Sequence, residues 1–153
     1  MALRRRICCV IGGAGFIGVH LTRLLVASGR EVVIVGRRTT PPGPLPPGAR
    51  YVSCDYGERA RLRSILAGSA EVIDLAYSTV PQTSFADPVF DIVSNLPPSV
   101  GMLQEAVTAG VERVVLGSSG GTVYGIAETL PIREDHPTNP ISPYGITKLA
   151  IEK

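Results

Sequence analysis

Short runs of apolar, mostly β-branched residues recur along the chain and predict the strands of a sheet. These runs are continuous, whereas a strand with one solvated face would alternate apolar and polar residues. Continuous runs are typical of strands that are covered on both faces, as in a parallel sheet. The five predicted strands are Ile7–Ile11, Glu31–Val35, Tyr51–Ser53, Val72–Ala76 and Val114–Gly117.

Segments with helical periodicity lie between the predicted strands. In the first segment Ile17, Leu21, Leu24 and Leu25 form one apolar stripe, and Gly29 ends the helix. Strands that alternate with helices predict an α/β fold with a Rossmann-like, doubly wound parallel sheet. The predicted helices are Phe16–Ser28, Glu58–Leu66 with its arginines on the outer face, Pro98–Ala109 and Pro143–Lys153.

Two segments need a separate interpretation. The proline-rich stretch Thr39–Ala49 cannot be a helix. We expect it to be an extended crossover between the second and third strands, with a ligand for a partner domain as the alternative. The start of the chain, MALRRR, resembles a signal peptide, but glycines soon interrupt the apolar residues and no small-residue cleavage site follows. A first strand after a basic tip is the simpler interpretation.

Composition narrows the class of protein. The chain has 153 residues, which we assign to one domain over residues 1–153. Its net charge is +2 and it has no tryptophan, so neither nucleic-acid binding nor an aromatic stacking platform is expected. No apolar run reaches the roughly 20 residues that a membrane span needs. The cysteines Cys8, Cys9 and Cys54 lack metal-ligand spacing, which predicts no metal site and a reducing, cytoplasmic location.

A glycine-rich turn joins the first strand to the first helix. The segment Ile7–Gly18 reads ICCVIGGAGFIG, with Gly12, Gly15 and Gly18 at intervals of three. Such glycines permit a sharp turn, close approach of a ligand's phosphates to the backbone, and close helix–strand packing. Because a helix N-terminus attracts anions, this pattern predicts dinucleotide binding, with a simple glycine-rich turn as the alternative.

Residues suited to acid–base chemistry follow the fifth predicted strand. The loop Gly117–Gly125 is rich in serine and glycine, and Tyr144 and Lys148 come later, four residues apart on one helix face. In an open α/β sheet, ligands bind at the carboxyl ends of the strands. A lysine ammonium beside a phenol favours the phenolate, so we expect the pKa of Tyr144 to be lowered. A solvated pair on a helix face is the alternative.

These motifs, in this order, resemble the N-terminal half of an extended short-chain dehydrogenase/reductase, in the NAD(P)-dependent sugar-nucleotide epimerase/dehydratase family. The matching segments are GGAGFIG (Gly12–Gly18), Cys54-Asp55, VIDLAY (Val72–Tyr77), Asn95 with the helix that follows it, SSGGTVYG (Ser118–Gly125) and SPYGITK (Ser142–Lys148). The resemblance covers nearly the whole chain.

The resemblance implies an activity and a set of site residues. Tyr144 would be the acid/base, Lys148 would hold the nicotinamide ribose, and Asp55 would bind the adenine. A hydride would pass from a sugar carbon to the nicotinamide and then return. The expected cofactor-binding residues are Gly12, Gly15, Phe16, Ile17, Gly18, Arg37, Arg38, Asp55, Tyr56, Leu75, Ala76, Tyr77, Asn95, Tyr144 and Lys148.

Three positions depart from the family pattern. Gly120 stands where the family has its catalytic hydroxyl, so Ser119, which we prefer, or Thr122 would substitute. The second strand ends before Arg37 and Arg38 rather than at an acidic residue, which favours NADP over NAD because arginine pairs with a 2′-phosphate. Tyr77 replaces a small residue and either crowds the nicotinamide pocket or covers the sheet end.

The family is about twice as long as this chain. We expect the 153-residue chain, whether a fragment or a truncated product, to bind a dinucleotide weakly and to turn over no nucleotide-sugar. The alternative is a non-catalytic dinucleotide-binding or oligomerisation module. In the family, the helices that correspond to 98–109 and 143–153 usually pair with their copies, which implies a homodimer.

Overall fold

The computed structural model describes residues 7–153, which contain one parallel sheet with the strand order β3-β2-β1-β4-β5. Every neighbouring pair of strands is parallel, as the continuous apolar runs predict. The strands are β1 (Ile7–Ile11), β2 (Glu31–Gly36), β3 (Ala49–Ser53), β4 (Ser69–Asp74) and β5 (Arg113–Leu116). The basic residues at positions 4–6, and with them the interpretation of the chain's start, lie outside the described residues.

Six helices accompany these strands in the described part of the chain. Two short ones, α3 and α5, are not predicted by the sequence pattern. No helix between residues 7 and 153 is long and apolar enough to cross a membrane. The helices are α1 (Phe16–Ala27), α2 (Arg59–Leu66), α3 (Pro81–Ala86), α4 (Pro88–Thr108), α5 (Gly120–Val123) and α6 (Pro143–Glu152).

The chain divides into two compact units. The first unit holds the residues up to Ala76 together with Gly101–Gly117, and it contains the whole sheet. The second unit holds Tyr77–Val100 and Ser118–Lys153, with helices α3, α5 and α6. The chain passes from the second unit to the first within α4. The assignment of residues 1–153 to one domain stays a prediction.

Both faces of the sheet are covered within the first unit. Neighbouring residues of β1 serve opposite faces, so Cys8 and Cys9 are both fully buried. One face packs against α2 and the end of α4, through Leu62, Leu66, Met102 and Ala106. The other face packs against α1, through Leu21, Leu25 and Val26. Burial of each large apolar side chain contributes about 1.5–3 kcal/mol, which makes these two layers the main source of stability.

The predicted apolar stripe of α1 is wrong in part. Ile17 and Leu24 are 64% and 69% exposed, whereas Gly18 and Thr22 are buried. The helix lies so close to the glycine turn that small residues are needed on its inner side. Of the expected stripe, Leu21 and Leu25 pack against the sheet, whereas Ile17 and Leu24 are exposed to solvent.

Helix α4 begins ten residues before the predicted start at Pro98. Asp87 caps it, because its carboxylate accepts a hydrogen bond from the Phe90 amide at 2.8 Å, and Pro88 takes the first position. Pro97 and Pro98 lie inside the helix. Prolines commonly mark a helix start, so the sequence pattern misplaces this one.

The arginines of α2 are exposed on its outer face, as predicted, and two of them also pair with a buried carboxylate. Arg59 and Arg63 both pair with Glu105, whose side chain is only 2% exposed, and Arg59 Nε lies 2.9 Å from Glu105 Oε1. The hydrogen bond from Arg63, above all, holds the pKa of Glu105 below its usual value. This carboxylate ties α2 to the end of α4.

Glu105 with its partners Arg59 and Arg63, the Glu105 cluster, predicts a specific loss of stability in acid. A carboxyl group whose pKa is lowered by folding contributes stability above its unfolded pKa of 4.5, and that contribution disappears as the pH falls through the lower, folded value. We expect Glu105→Gln to lower the Tm at about pH 7 by several degrees and to show a smaller further loss at about pH 3 than the wild type.

Thermal unfolding across this pH range measures the effect. The exposed Glu128, changed to Gln, is the matched control and should leave both Tm values unchanged. Equal losses of Tm in acid for the wild type and Glu105→Gln would show that the Glu105 cluster does not carry this contribution.

Candidate active site and dinucleotide-binding loop

The glycine turn lies where the order of strands in the sheet reverses. Strand β1 is central, flanked by β2 and β4, and ligands of such sheets bind at the carboxyl ends of the strands at this point. Gly12 follows β1 with φ +76°, and its amide donates to the Val35 carbonyl at 2.8 Å. A Cβ on Gly12 would lie 3.0 Å from the Ala76 backbone nitrogen. Only glycine allows this turn to pass so close to the end of β4.

The helix that follows has an open N-terminus. Gly15 is the N-cap of α1, and no side chain of the described residues caps the first turn. The side chains of Phe16 and Ile17 are exposed. Because the first amides of a helix have no partner within it, these groups are available to an anion.

Gly18 brings α1 against the turn. A Cβ at this position would lie 2.5 Å from Gly13 Cα and 2.6 Å from the Gly12 carbonyl oxygen. Those distances are too short for any side chain. Gly12 and Gly18 therefore serve the turn and the close packing, as the spacing predicts, whereas the approach of phosphates to the backbone at Gly15 stays a prediction.

The other predicted cofactor residues of the first unit also follow strand ends. Arg37 and Arg38 come after β2, are exposed, and form no ion pair with another residue in the range 7–153. Asp55 follows β3, and its carboxylate accepts the Gly57 amide at 2.8 Å. The Tyr56 hydroxyl donates a hydrogen bond to the Asp74 carboxylate. Since the carboxyl ends of parallel strands lie at one edge, these residues share that edge.

The end of β4 is held in place by Asp74. Its Oδ1 accepts the Ala76 amide at 3.0 Å, and the Leu75 amide donates to the Ile11 carbonyl at 2.9 Å. The strand ends at Asp74 rather than at Ala76 as predicted, so Leu75 and Ala76 form a loop beside Gly12.

Helix α6 positions the residues predicted for acid–base chemistry in the second unit. Ser142 caps it by accepting the Gly145 amide at 3.0 Å, and Pro143 takes the first turn. A Cβ on Gly145 would lie 2.8 Å from the Thr122 carbonyl oxygen, so α6 packs closely on α5. Tyr144 and Lys148 follow one turn apart, and Lys148 is only 9% exposed. The interpretation of a solvated pair is wrong.

Tyr77 packs against Tyr144 and Lys148, and the three form one cluster in the second unit. Its ring meets the Tyr144 ring edge-to-face, with centroids 4.8 Å apart. Lys148 Nζ lies 3.9 Å from the centroid of the Tyr77 ring and 5.8 Å from that of Tyr144. Of the two rings, the ammonium is nearer to Tyr77.

The pKa of Tyr144 is raised, not lowered as predicted. Burial of the phenol is the largest cause, and Asp91 adds to it. A side-chain hydrogen bond with Ser119 acts in the opposite direction. The prediction is wrong because burial outweighs the hydrogen bond, while the Lys148 ammonium lies closer to Tyr77.

The two candidate hydroxyls differ in their partners. Ser119 acts to lower the pKa of Tyr144, whereas the Thr122 hydroxyl donates back to the Ser119 carbonyl at 3.3 Å, and the preference for Ser119 stays a prediction. Gly120, at the start of α5, has open space where a Cβ would be, with no atom within 4 Å. The position therefore has room for a larger residue.

A buried carboxylate that the sequence does not reveal supports the cluster. Asp91 is fully buried, and it accepts hydrogen bonds from the hydroxyls of Thr79 and Thr147, the latter at 2.6 Å. Asn95, predicted to support the cofactor site, accepts the Ser78 amide at 2.8 Å and donates to the Asp91 carbonyl at 2.7 Å. Both residues fix the loop that carries Tyr77.

The two histidines lie outside this cluster. His20 is exposed on α1. His136 accepts the Glu128 amide at Nε2 and donates from Nδ1 to the Pro137 carbonyl at 2.8 Å. These contacts order the loop before α6. Within residues 7–153 no group of three or more histidine, cysteine or acidic side chains could hold a metal ion.

Comparisons with known proteins agree with this arrangement. Residues 8–153 match the model of the NAD dependent epimerase/dehydratase family. The UDP-glucose 4-epimerase of Lactobacillus helveticus is 39% identical over 94% of this chain. The crystal structure of UDP-glucose 4-epimerase from Brucella ovis in complex with NAD has a TM-score of 0.89, 32% identity, and covers 96% of this chain. That of the Thermotoga maritima UDP-glucose 4-epimerase with UDP-glucose has a TM-score of 0.86, 29% identity and 95% coverage.

The chain spans about half the length of these relatives. The match covers 44% of the Lactobacillus helveticus enzyme, 46% of the Brucella ovis chain and 48% of the Thermotoga maritima chain. The similarity therefore supports the family and the fold.

The contact between Ser119 and Tyr144 predicts a measurable change in phenol ionisation. Removing a hydrogen bond that favours the phenolate raises the pKa of the phenol, so Ser119→Ala is expected to raise the pKa of Tyr144 further. Thr122→Ala is the matched control and should leave it unchanged. Because the chain has five tyrosines and no tryptophan, near-ultraviolet absorbance follows phenolate formation directly.

Each variant is titrated with and without the further change Tyr144→Phe. The difference between the two absorbance curves is the Tyr144 component, the ionisation of Tyr144 alone. If Thr122→Ala moves this component and Ser119→Ala does not, the choice of Ser119 is wrong.

Proposed function

The chain belongs to the NAD dependent epimerase/dehydratase family, and we propose that it carries the dinucleotide-binding and acid–base parts of a sugar-nucleotide epimerase or dehydratase. The observation that carries this proposal is the cluster of the buried Lys148 with the half-buried Tyr144 and Ser119. A phenol, an ammonium and a hydroxyl in one place suit proton transfer to and from a substrate hydroxyl. The relatives' names support a UDP-hexose as the substrate class.

The first unit supplies residues that fit a dinucleotide. The open amides at Phe16 and Ile17 and the lack of a side chain at Gly15 suit a diphosphate. Asp55, Tyr56, Leu75 and Ala76 lie at the same sheet edge, suited to the adenosine part. When bound, a nicotinamide dinucleotide accepts a hydride from a sugar carbon and can return it.

The second unit holds the groups that move a proton. With its pKa raised by burial, Tyr144 is protonated at neutral pH and can donate from its phenol oxygen. Acceptance of a substrate proton requires that the phenolate be stabilised, and Ser119 and the positive charge of Lys148 are the groups in this unit suited to that role. Asn95 and Asp91 hold the adjoining loop rather than the reacting atoms.

Arg37 and Arg38 favour NADP. Both guanidinium groups are exposed at the end of β2, where a 2′-phosphate of the adenosine ribose would meet them. Each charge-assisted hydrogen bond to a phosphate contributes about 1.5–3 kcal/mol. We therefore propose NADP as the preferred cofactor, although the Brucella ovis neighbour holds NAD.

Exposed apolar residues on α4 support self-association. Val89, Val93 and Val100 are exposed along this helix, and Ile146 is exposed on α6. The predicted pairing helices are 98–109 and 143–153, but α4 begins at Pro88, and its exposed valines begin at Val89. We propose that these helices bind a second copy of the chain.

The cysteines support a reducing compartment, and we propose the cytoplasm. Cys8, Cys9 and Cys54 are buried free thiols. Burial raises the pKa of Cys8 to about 11 and that of Cys9 to about 12, so both are unreactive at neutral pH.

A second candidate function is a dinucleotide-binding or oligomerisation module without catalysis. The chain spans about half of its relatives' length, which favours this alternative for the 153-residue chain alone. We expect the chain by itself to bind a dinucleotide and to interconvert no UDP-glucose and UDP-galactose. Turnover of either sugar by the purified chain would contradict this expectation and favour a complete enzyme.

Dinucleotide binding at the glycine turn is tested with Gly15→Asp and its neutral match, Gly15→Asn. Both residues are good N-caps, and both place a Cβ 3.2 Å from the Gly12 carbonyl oxygen, so any strain is common to the two variants. The carboxylate would repel a diphosphate, so we expect Gly15→Asp to bind NAD and NADP at least about tenfold more weakly than Gly15→Asn. Calorimetric titration measures the Kd values. Equal affinities would place the diphosphate elsewhere.

Cofactor preference is tested with the double change Arg37→Ser and Arg38→Ser. The Kd for NADP should rise at least about 100-fold, and the Kd for NAD should change by less than about threefold. Arg23→Ser, at an exposed position on α1, is the control and should affect neither. Equal wild-type Kd values for NAD and NADP would dispose of the NADP assignment.

A further inference from the structure

Tyr77 contacts both residues that the proposed function uses for proton transfer. Its ring lies edge-to-face with Tyr144 at an interplanar angle of 67°. The Lys148 ammonium lies over its face, 3.9 Å from the ring centroid. A cation within about 6 Å of a ring centroid is attracted by the ring's negative face. Tyr77 therefore has a direct means of fixing the position of Lys148.

The burial of Lys148 makes this contact strong. A cation–π contact is weak in water and stronger when the charge is desolvated, and the Lys148 residue is only 9% exposed. The lysine side chain has four rotatable bonds, so holding its end in one place is entropically costly without such a contact.

The face of the Tyr77 ring, rather than its hydroxyl, makes the contact. The hydroxyl oxygen is buried and makes no hydrogen bond of ordinary geometry with any described residue. Burial first, and then Asp91, raise the pKa of Tyr77, while the Thr147 side chain acts in the opposite direction, so the phenol is neutral at pH 7. The attraction is therefore that of an ammonium for a neutral ring.

We propose that Tyr77 is a positioning residue, whose ring face holds the Lys148 ammonium in place for the dinucleotide. The inference rests on the proposed function, because it assigns Lys148 to a bound cofactor. Loss of the ring should free the lysine side chain, and the cofactor would then have to order it on binding. The cost appears as weaker binding, while a variant that keeps the ring retains full affinity.

The chain is well suited to a spectroscopic test, because Lys148 and Lys153 are its only lysines. Lysine labelled with ¹³C at the ε-carbon gives two signals, which Lys153→Arg assigns. Protons above an aromatic face are shifted upfield by the ring current, so the Lys148 ε-protons should lie upfield of those of the exposed Lys153. The measurement uses the 153-residue chain without cofactor.

Four variants are compared with the wild type. Tyr77→Phe keeps the ring and removes the hydroxyl, so the upfield shift should remain. Tyr77→Leu and Tyr77→Met remove the ring at similar apolar volume, and the shift should be lost in whichever of the two folds, as judged by circular dichroism. Tyr124→Leu removes a ring that contacts His136 in the same unit and should leave the Lys148 signals unchanged.

The same samples are titrated with NAD and NADP. We expect the better-bound dinucleotide to bind Tyr77→Leu or Tyr77→Met about 2- to 30-fold more weakly than Tyr77→Phe, the range expected for one cation–π contact. Tyr77→Phe should match the wild type within about twofold. This recovery by the conservative variant separates positioning through the ring from a general loss of packing.

Three outcomes would overturn the inference. The first is an unchanged Lys148 signal in the variants that lack the ring. The second is loss of the upfield shift in Tyr77→Phe, which would assign the contact to the hydroxyl. The third is equal dinucleotide affinity of Tyr77→Phe and Tyr77→Leu despite different Lys148 signals. A wild-type chain with the upfield shift but no dinucleotide binding contradicts the proposed function and supports the Tyr77–Lys148 contact.

Discussion

The constraint on which the first unit depends is the close approach of backbone to backbone at the glycine turn. A Cβ on Gly18 would lie within 2.6 Å of the Gly12 carbonyl, and one on Gly12 would lie 3.0 Å from the Ala76 nitrogen. The missing side chains allow α1 to begin directly at the carboxyl ends of β1 and β4. The N-terminus of α1 then lies at the edge of the sheet that holds the carboxyl ends of its five strands.

The second unit depends instead on burying ionisable groups with suitable partners. A buried charge is costly unless its surroundings replace the water that it loses. Asp91 receives two hydroxyl donors, and Lys148 lies over an aromatic face. The same burial raises the pKa of Tyr144. A lysine one helical turn from a tyrosine is therefore insufficient to lower the pKa of the phenol. That pKa also depends on how deeply the phenol is buried and on which ring the ammonium lies closest to.

Sequence patterns predicted the sheet well because a strand that is buried on both faces is a run of consecutive apolar residues. Continuous apolar runs identified all five strands, although the one ending at Asp74 was placed a few residues late. The start of α4 was missed because Pro97 and Pro98 resemble a helix start, and only the Asp87 cap shows where the helix begins. Asp91 and Glu105 were missed for another reason. Their burial depends on partners 42 to 56 residues away, Arg63 and Thr147, which no local pattern reveals.

The bare N-cap of α1 affects more than ligand recognition. Serine, threonine or aspartate at Gly15 would stabilise the helix by about 1 kcal/mol over residues that cannot cap, and glycine forgoes a side-chain hydrogen bond. An anion bound to the open amides would supply the missing contacts from outside the chain. Any such ligand adds its binding free energy to folding, so resistance to proteases would follow the cellular supply of coenzyme. Proteases would then degrade the chain with a ligand bound at the turn more slowly than the chain without one.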